Sequence, residues 1–200
     1  KKLLFLLMFP LLTLAQQTYV PDDNFEAYLE ASGMGNGIAN DDSVTTSNIV
    51  GITSLDVSFK VISDLTGIED FTALTDLNCN NNQLTNLDLS KNTALTGLIC
   101  SRNQLTSLDL SQNTALTYLN CFVNQLTSLD VSGCTALTIL SCFRNQLTSL
   151  DVSKNTALTE LNCSMNQLTN LEVSNNTALT ELNCGENQFD CSPQMDKINN

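Results

Sequence analysis

Histidine and tryptophan are absent from the 200 residues. Without His, no Ser–His or Cys–His nucleophile can be assembled, and general acid–base chemistry loses its commonest proton carrier near neutral pH. A zinc site would have to be built from Cys and carboxylate alone. Bases are scarce as well: 8 Lys and Arg stand against 21 Asp and Glu, a net charge of −13. A surface of that sign repels phosphate backbones and anionic headgroups, which argues against nucleic acid as a partner. No apolar run reaches the roughly 20 residues that a membrane-spanning helix needs. No catalytic residue, no cofactor and no metal ligand is expected, and the chain is not read as an enzyme.

The longest apolar run, Leu3 to Leu14, is broken by Pro10 and Thr13 and follows Lys1 and Lys2. It ends on Thr13-Leu14-Ala15, small residues where a signal peptidase cuts, so residues 1–15 read as a secretory signal rather than a buried helix. Their removal leaves 21 acids against 6 bases, a net charge of −15. The expected location is secreted or cell surface, with no membrane insertion after processing. The residue directly after the expected cut at Ala15 is Gln16 rather than Cys, which argues against a lipid anchor. The first residue is Lys rather than Met, and the numbering is read as starting one residue late.

Beyond the signal, the chain repeats itself every 21 residues. Cys79, Cys100, Cys121, Cys142, Cys163 and Cys184 keep that interval. So do Leu77, Leu98, Leu119, Leu140, Leu161 and Leu182, and so do Asn82, Asn103, Asn124, Asn145, Asn166 and Asn187. Full units begin at Leu74, Leu95, Leu116, Leu137 and Leu158, with a divergent unit from Ile52 and a partial one from Leu179. Alternation along Leu77-Asn78-Cys79 sends Leu and Cys inward and Asp76, Asn78 and Asn80 outward. A single unit cannot bury that face. Stacked units bury it as one core under a parallel sheet.

The spacing Leu74-x-x-Leu77-x-Cys79-x-x-Asn82-x-Leu84 resembles the leucine-rich-repeat signature, over about seven units between residues 52 and 187. The second half of each unit, Leu84-x-x-Leu87-x-Leu89-x-x-Asn92, repeats the pattern, as in the doubled repeats of secreted bacterial members. The first unit, from Ile52 to Ile68, is similar to internalin repeats, except that Lys60 stands where Asn belongs. The resemblance implies a leucine-rich-repeat solenoid, a β-rich right-handed coil with a parallel inner sheet, and protein binding as its work. Twenty-one residues are too few for a long crossover helix. The outer side should be extended chain, turns, or a second narrow sheet around Leu87-Asp88-Leu89. Residues 16–51 read as an N-terminal cap with a helix over 24–31, stopped by the glycines at 33, 35 and 37, and a second short helix after Asp42-Ser43. Residues 188–200 are short for a closing cap, and the natural chain is expected to continue.

Three columns read as scaffold. An inward Asn in every coil offers two donors and an acceptor to turn backbone, so the ladder from Asn82 to Asn187 is structural. The Cys column occupies the inward site that Leu89, Leu110, Val131, Val152 and Val173 fill in the other half-unit. Core thiols are favoured there over disulfides or a thiolate metal ladder. Cys134 and Cys191 lie outside it, with no pairing legible, although Cys191 is within reach of Cys184 in sequence. Asp88, Asp109, Asp130, Asp151 and Glu172 stack like charges, and three readings stand: turn caps to the following Ser, a solubilising stripe, or a weak calcium site.

Other columns vary from unit to unit, so the scaffold does not dictate them. Asp76, Gly97, Tyr118, Ile139, Glu160 and Glu181 form one; Asn80, Ser101, Phe122, Phe143, Ser164 and Gly185 a second; Asn81, Arg102, Val123, Arg144, Met165 and Glu186 a third. Their bulky members fall together in Tyr118, Phe122, Val123, Ile139, Phe143 and Arg144, with Ile99 and Arg102 beside them. Exposed, contiguous aromatics edged by Arg are the composition of a binding hot spot, and these eight residues are the expected ligand-binding site on the concave face. Protein is the expected partner. A glycan-binding or adhesion module and a passive surface stalk remain alternatives.

Overall fold

The computed structural model describes residues 15–189; residues 1–14 of the segment read as a secretory signal, and Cys191, lie outside them. Seven parallel three-residue strands form one sheet in sequence order: β3 (Ser54–Asp56), β4 (Asp76–Asn78), β5 (Gly97–Ile99), β6 (Tyr118–Asn120), β7 (Ile139–Ser141), β8 (Glu160–Asn162) and β9 (Glu181–Asn183). Their register pairs Leu with Leu throughout, from Leu55 against Leu77 to Leu161 against Leu182. Backbone bonds run between neighbouring coils, such as Cys79 N–H to the Ile99 carbonyl at 2.8 Å and Gln104 N–H to Leu84 at 2.8 Å. A coil therefore needs its neighbour to satisfy its own main chain, which is why the architecture exists only as a stack. The molecule is a leucine-rich-repeat solenoid.

The Leu columns and the Cys column are buried from Leu55 through Leu171 in one continuous core. Only at β9 does the core open: Leu182 and Cys184 are half-buried, since no further described coil covers them. The Asn ladder links coils. The Asn124 amide donates to the carbonyls of Cys100 and Cys121, each at 3.1 Å, and its oxygen accepts from Leu105 N–H at 3.0 Å. Opposite the sheet the half-units are extended chain and turns, and among the described residues no strands pair on that side. Asn92, Asn113, Asn155 and Asn176 line that side. Each donates to two carbonyls of the coil before, while its own buried oxygen goes unpartnered.

The cap combines β1 (Gln17–Tyr19), helix α1 (Asp23–Ala31), β2 (Ser43–Thr45) and the single turn α2 (Thr46–Ile49). Strands β1 and β2 pair antiparallel, an element the sequence reading lacks. Asp22 caps α1 by accepting from the amides of Asn24 and Phe25, and its second oxygen binds Ser63 and Asp64 of the first coil. One carboxylate thus starts the helix and clamps it to the solenoid. Phe25 stacks with Phe71 at 6.3 Å, and Thr18 donates to Asp70 at 2.6 Å. Gly67 sits under this seam with φ 102°, and a Cβ there would lie 2.8 Å from the Tyr19 carbonyl. The cap closes the core at the level of residues 61–71, and adds no strand to β3.

Candidate functional site

The fourth and fifth coils, those of β6 and β7, bring the bulky residues together by register. Tyr118 on β6 and Ile139 on β7 are direct partners in the ladder. Two residues past each strand, Phe122 and Phe143 stack with ring centroids 4.5 Å apart and planes 15° from parallel. From the coil before, the Arg102 guanidinium lies over the Phe122 ring at 5.5 Å. Arg102, Phe122 and Phe143 form a continuous stack across three coils, an arrangement stabilised by cation–π and ring–ring attraction. Tyr118 is tied to the sheet face, its hydroxyl accepting from Asn120 at 3.3 Å.

The stack changes one expectation. Tyr118, Phe122, Ile139 and Phe143 are half-buried rather than freely exposed, as are Ile99 and Val123, while Arg102 and Arg144 project into solvent. The rings shield each other, because the coil spacing matches the thickness of an aromatic pair. The Ser that occupies the ring position in neighbouring coils is buried at both Ser101 and Ser164. That column therefore lies closer to the scaffold than its variability implies.

The third variable column is not sheet surface. Asn81, Arg102, Val123, Arg144, Met165 and Glu186 all have φ between 52° and 55°, a left-handed turn just before each ladder Asn. Phe59 begins the series at φ 56°. The turn throws these side chains outward as a ridge along one rim of the sheet. Phe59 is 67% exposed and Met165 40%, more open than any of the expected aromatic residues. Sequence reading missed Phe59 and the ridge because no Gly marks the left-handed positions.

Beside the aromatic cluster lies a shallow concavity of about 690 Å³ lined by Tyr118, Ile139, Glu160 and Glu181 among others. A smaller one, about 210 Å³, lies on the other side of Tyr118 over Asp76 and Gly97. The open face thus runs from apolar in its middle to acidic toward β9.

The scaffold columns are chemically quiet. Burial pushes the thiols of Cys79, Cys121 and Cys163 up to about 12, and those of Cys100 and Cys142 well above the ordinary range, with neighbouring thiols adding to the effect. A thiolate ladder would have to overcome that cost. On the opposite face, the amides of Ser90, Ser111, Ser132 and Ser153 donate to Asp88, Asp109, Asp130 and Asp151 at 2.8–2.9 Å. These backbone bonds, with those of the Ser hydroxyls, hold each carboxyl below its usual value and outweigh the repulsion of neighbouring acids on Asp109. The acidic column therefore caps turns. Neither it nor the thiol column brings three ligating atoms within 4.8 Å of one another among the described residues.

Known proteins share this construction. The family of leucine-rich repeats in two copies matches residues 114–155. Internalin J of Listeria monocytogenes is 47% identical over 74 residues, which is 37% of this chain and 8% of that protein. The solved functional domain of InlJ from the same organism, which includes a cysteine ladder, is 36% identical with a TM-score of 0.56; the match covers 89% of this chain and 49% of that one. Internalin C2 of L. monocytogenes matches at 25% identity and TM-score 0.64, over 90% of this chain and 93% of that one. The chain spans about half of the InlJ domain and a small fraction of full Internalin J. With its repeated Leu, Cys and Asn columns, its parallel sheet and these likenesses, the chain is an internalin-like leucine-rich-repeat protein.

Proposed function

We propose that this chain is a non-catalytic recognition module, acting outside the cell or at its surface, that binds a protein through the open face of its sheet. The observation that carries the proposal is the contrast between columns. Leu, Cys and Asn are fixed from coil to coil, whereas Tyr118, Ile139, Phe122 and Phe143 replace small or polar residues in two adjacent coils only, and there they touch. The energetic centre is the Arg102–Phe122–Phe143 stack with the Tyr118–Ile139 pair, and Ile99, Val123 and Arg144 form its margin. Half-buried aromatics held rigidly lose little entropy on binding, as effective anchors require.

The same stack favours protein over glycan. A sugar platform needs a free ring face, and Phe122 is stacked against Phe143 with Arg102 also over its ring. The partner's complementary surface presents an apolar centre, acids toward Arg102 and Arg144, and bases toward Glu160 and Glu181.

The test is capture of surface proteins and of a glycan panel by the folded chain, with Phe122→Ser/Phe143→Ser as the control. A protein retained by the wild type and lost by the double variant supports the proposal. Retention by both variants equally, or capture of glycans alone, refutes it, and a chain that captures nothing fits a stalk.

A further inference from the structure

Six carboxylates lie in the cap between residues 16 and 51, and no Lys or Arg accompanies them. Three are occupied by donors. Asp22 accepts from Asn24, Phe25, Ser63 and Asp64; Glu30 from the amides of Asn36 and Gly37; Asp41 from Asn36 and Ser43. The other three are Asp23, Glu26 and Asp42, and a carboxylate oxygen of each lies within 4.8 Å of the others. These three converge, and of them only Glu26 takes a hydrogen bond, through one of its two oxygens.

Glu26 supplies a second, independent observation. It is 1% exposed, its Oε1 accepts from the Asp41 amide at 3.1 Å, and its Oε2 is buried with no partner. A buried carboxylate oxygen without a donor, next to two further acids, is costly in every ionised form unless a cation meets it. The positive end of α1 explains why Asp23 and Glu26 are acids in its first turn. It does not explain Asp42, which arrives from a separate loop, with φ 56°.

We infer that Asp23, Glu26 and Asp42 bind a hard divalent cation of the calcium class, which pins the start of α1 to the loop before β2. The donor set is all oxygen. Carboxylates that bind through one or both oxygens, with two of the three side chains open to solvent for water ligands, suit the irregular six- to eight-oxygen shell of calcium better than the strict octahedron of magnesium. Spacing fits the chemistry too: positions 23 and 26 are one helical turn apart and share a face. Because the cap seals the end of the core, occupancy of this site would raise the stability of the first coils.

The experiment uses the full chain stripped with chelator and titrated with calcium chloride, read by calorimetry and by thermal unfolding. One calcium per chain is expected, with Kd at or below about 10⁻³ M and a higher melting temperature. Asp42→Asn, at an exposed position, should weaken binding at least tenfold while leaving the metal-free protein folded. Glu26→Gln should remove the response to calcium and raise the melting temperature of the metal-free protein, since it neutralises the buried charge. Asp109→Asn on the turn-capping column should bind calcium as the wild type does. Absence of heat and of any thermal shift at 10-fold that calcium concentration, binding that survives Asp42→Asn unchanged, or binding lost equally in Asp109→Asn would each overturn the inference.

Discussion

Replacing Asn124 with Ala removes three hydrogen bonds, but their loss is not equal. The Cys100 carbonyl keeps the Asn103 amide at 3.1 Å, and the Cys121 carbonyl keeps Asn145 at 3.1 Å. Leu105 N–H has only the Asn124 oxygen, at 3.0 Å, and is buried. An orphaned buried donor costs about 1–3 kcal/mol, and the two weakened carbonyls add a few tenths each, so the expected loss is about 2–3 kcal/mol. With a urea m-value of about 2 kcal/mol/M, the midpoint should fall by roughly 1 M. Asn113 on the opposite side is the matched comparison. Its two acceptors, the Leu89 and Asn92 carbonyls, also hold backbone donors from Asn92 and Leu95, and its own buried oxygen has no partner. Asn113→Cys, which copies Cys134 of the next coil, should therefore cost under about 1 kcal/mol. The assay is equilibrium urea unfolding of both variants followed by far-ultraviolet circular dichroism. Equal midpoints for the two, or an unchanged midpoint for Asn124→Ala, would refute the view that the sheet-side ladder satisfies a buried donor with no other partner while the outer one adds bonds to carbonyls already satisfied.

Val123 holds a left-handed turn that a β-branched residue resists, and Asn81 holds the same turn at φ 55°; Val123→Asn should raise stability by about 1 kcal/mol, seen as a higher melting temperature. Cys79, Cys100, Cys121, Cys142 and Cys163 should ignore Ellman's reagent at pH 8 in the folded chain and react after denaturation, with no gain of thiols on prior reduction; a gain of four or more would mean the column is cross-linked. Because folding raises these thiols toward about 12, the unfolded chain ionises first, and stability should decline as pH climbs from about 9 toward 12. The capped Asp88, Asp109, Asp130 and Asp151 work in the other direction. Their folded values lie below 3.8, so their contribution is present above that pH and lost as pH falls through the lowered values; melts at pH 5 and pH 3 should differ less in Asp109→Asn/Asp130→Asn.

The 21-residue period was enough to place the strands and the core, since Leu77 and its copies can be buried only by stacking. Helix α1 was legible from its acidic start and glycine stop. The pairing of Gln17–Tyr19 with Ser43–Thr45 was not, because three-residue strands 23 residues apart leave no alternation to read. Nor was the left-handed ridge: its residues range from Arg102 to Met165, and only the coil geometry gives them a common backbone. The aromatic cluster was legible as a cluster, yet its half-buried stack was not, since variability between units measures freedom of choice and not exposure. Glu26 read as one acid in a helical first turn; its burial depends on a loop that ends near Asp42.

The most direct test of the recognition face is hydroxyl-radical footprinting of the folded chain, free and bound to its captured partner. Tyr118, Phe122 and Phe143 report on the central face, while Tyr19 and Phe59, 61% and 67% exposed, report on the capped end. The account predicts loss of reactivity at Tyr118, Phe122 and Phe143 on binding, with Tyr19 unchanged. Protection of Tyr19 and Phe59 with the central three left as reactive as before would contradict it.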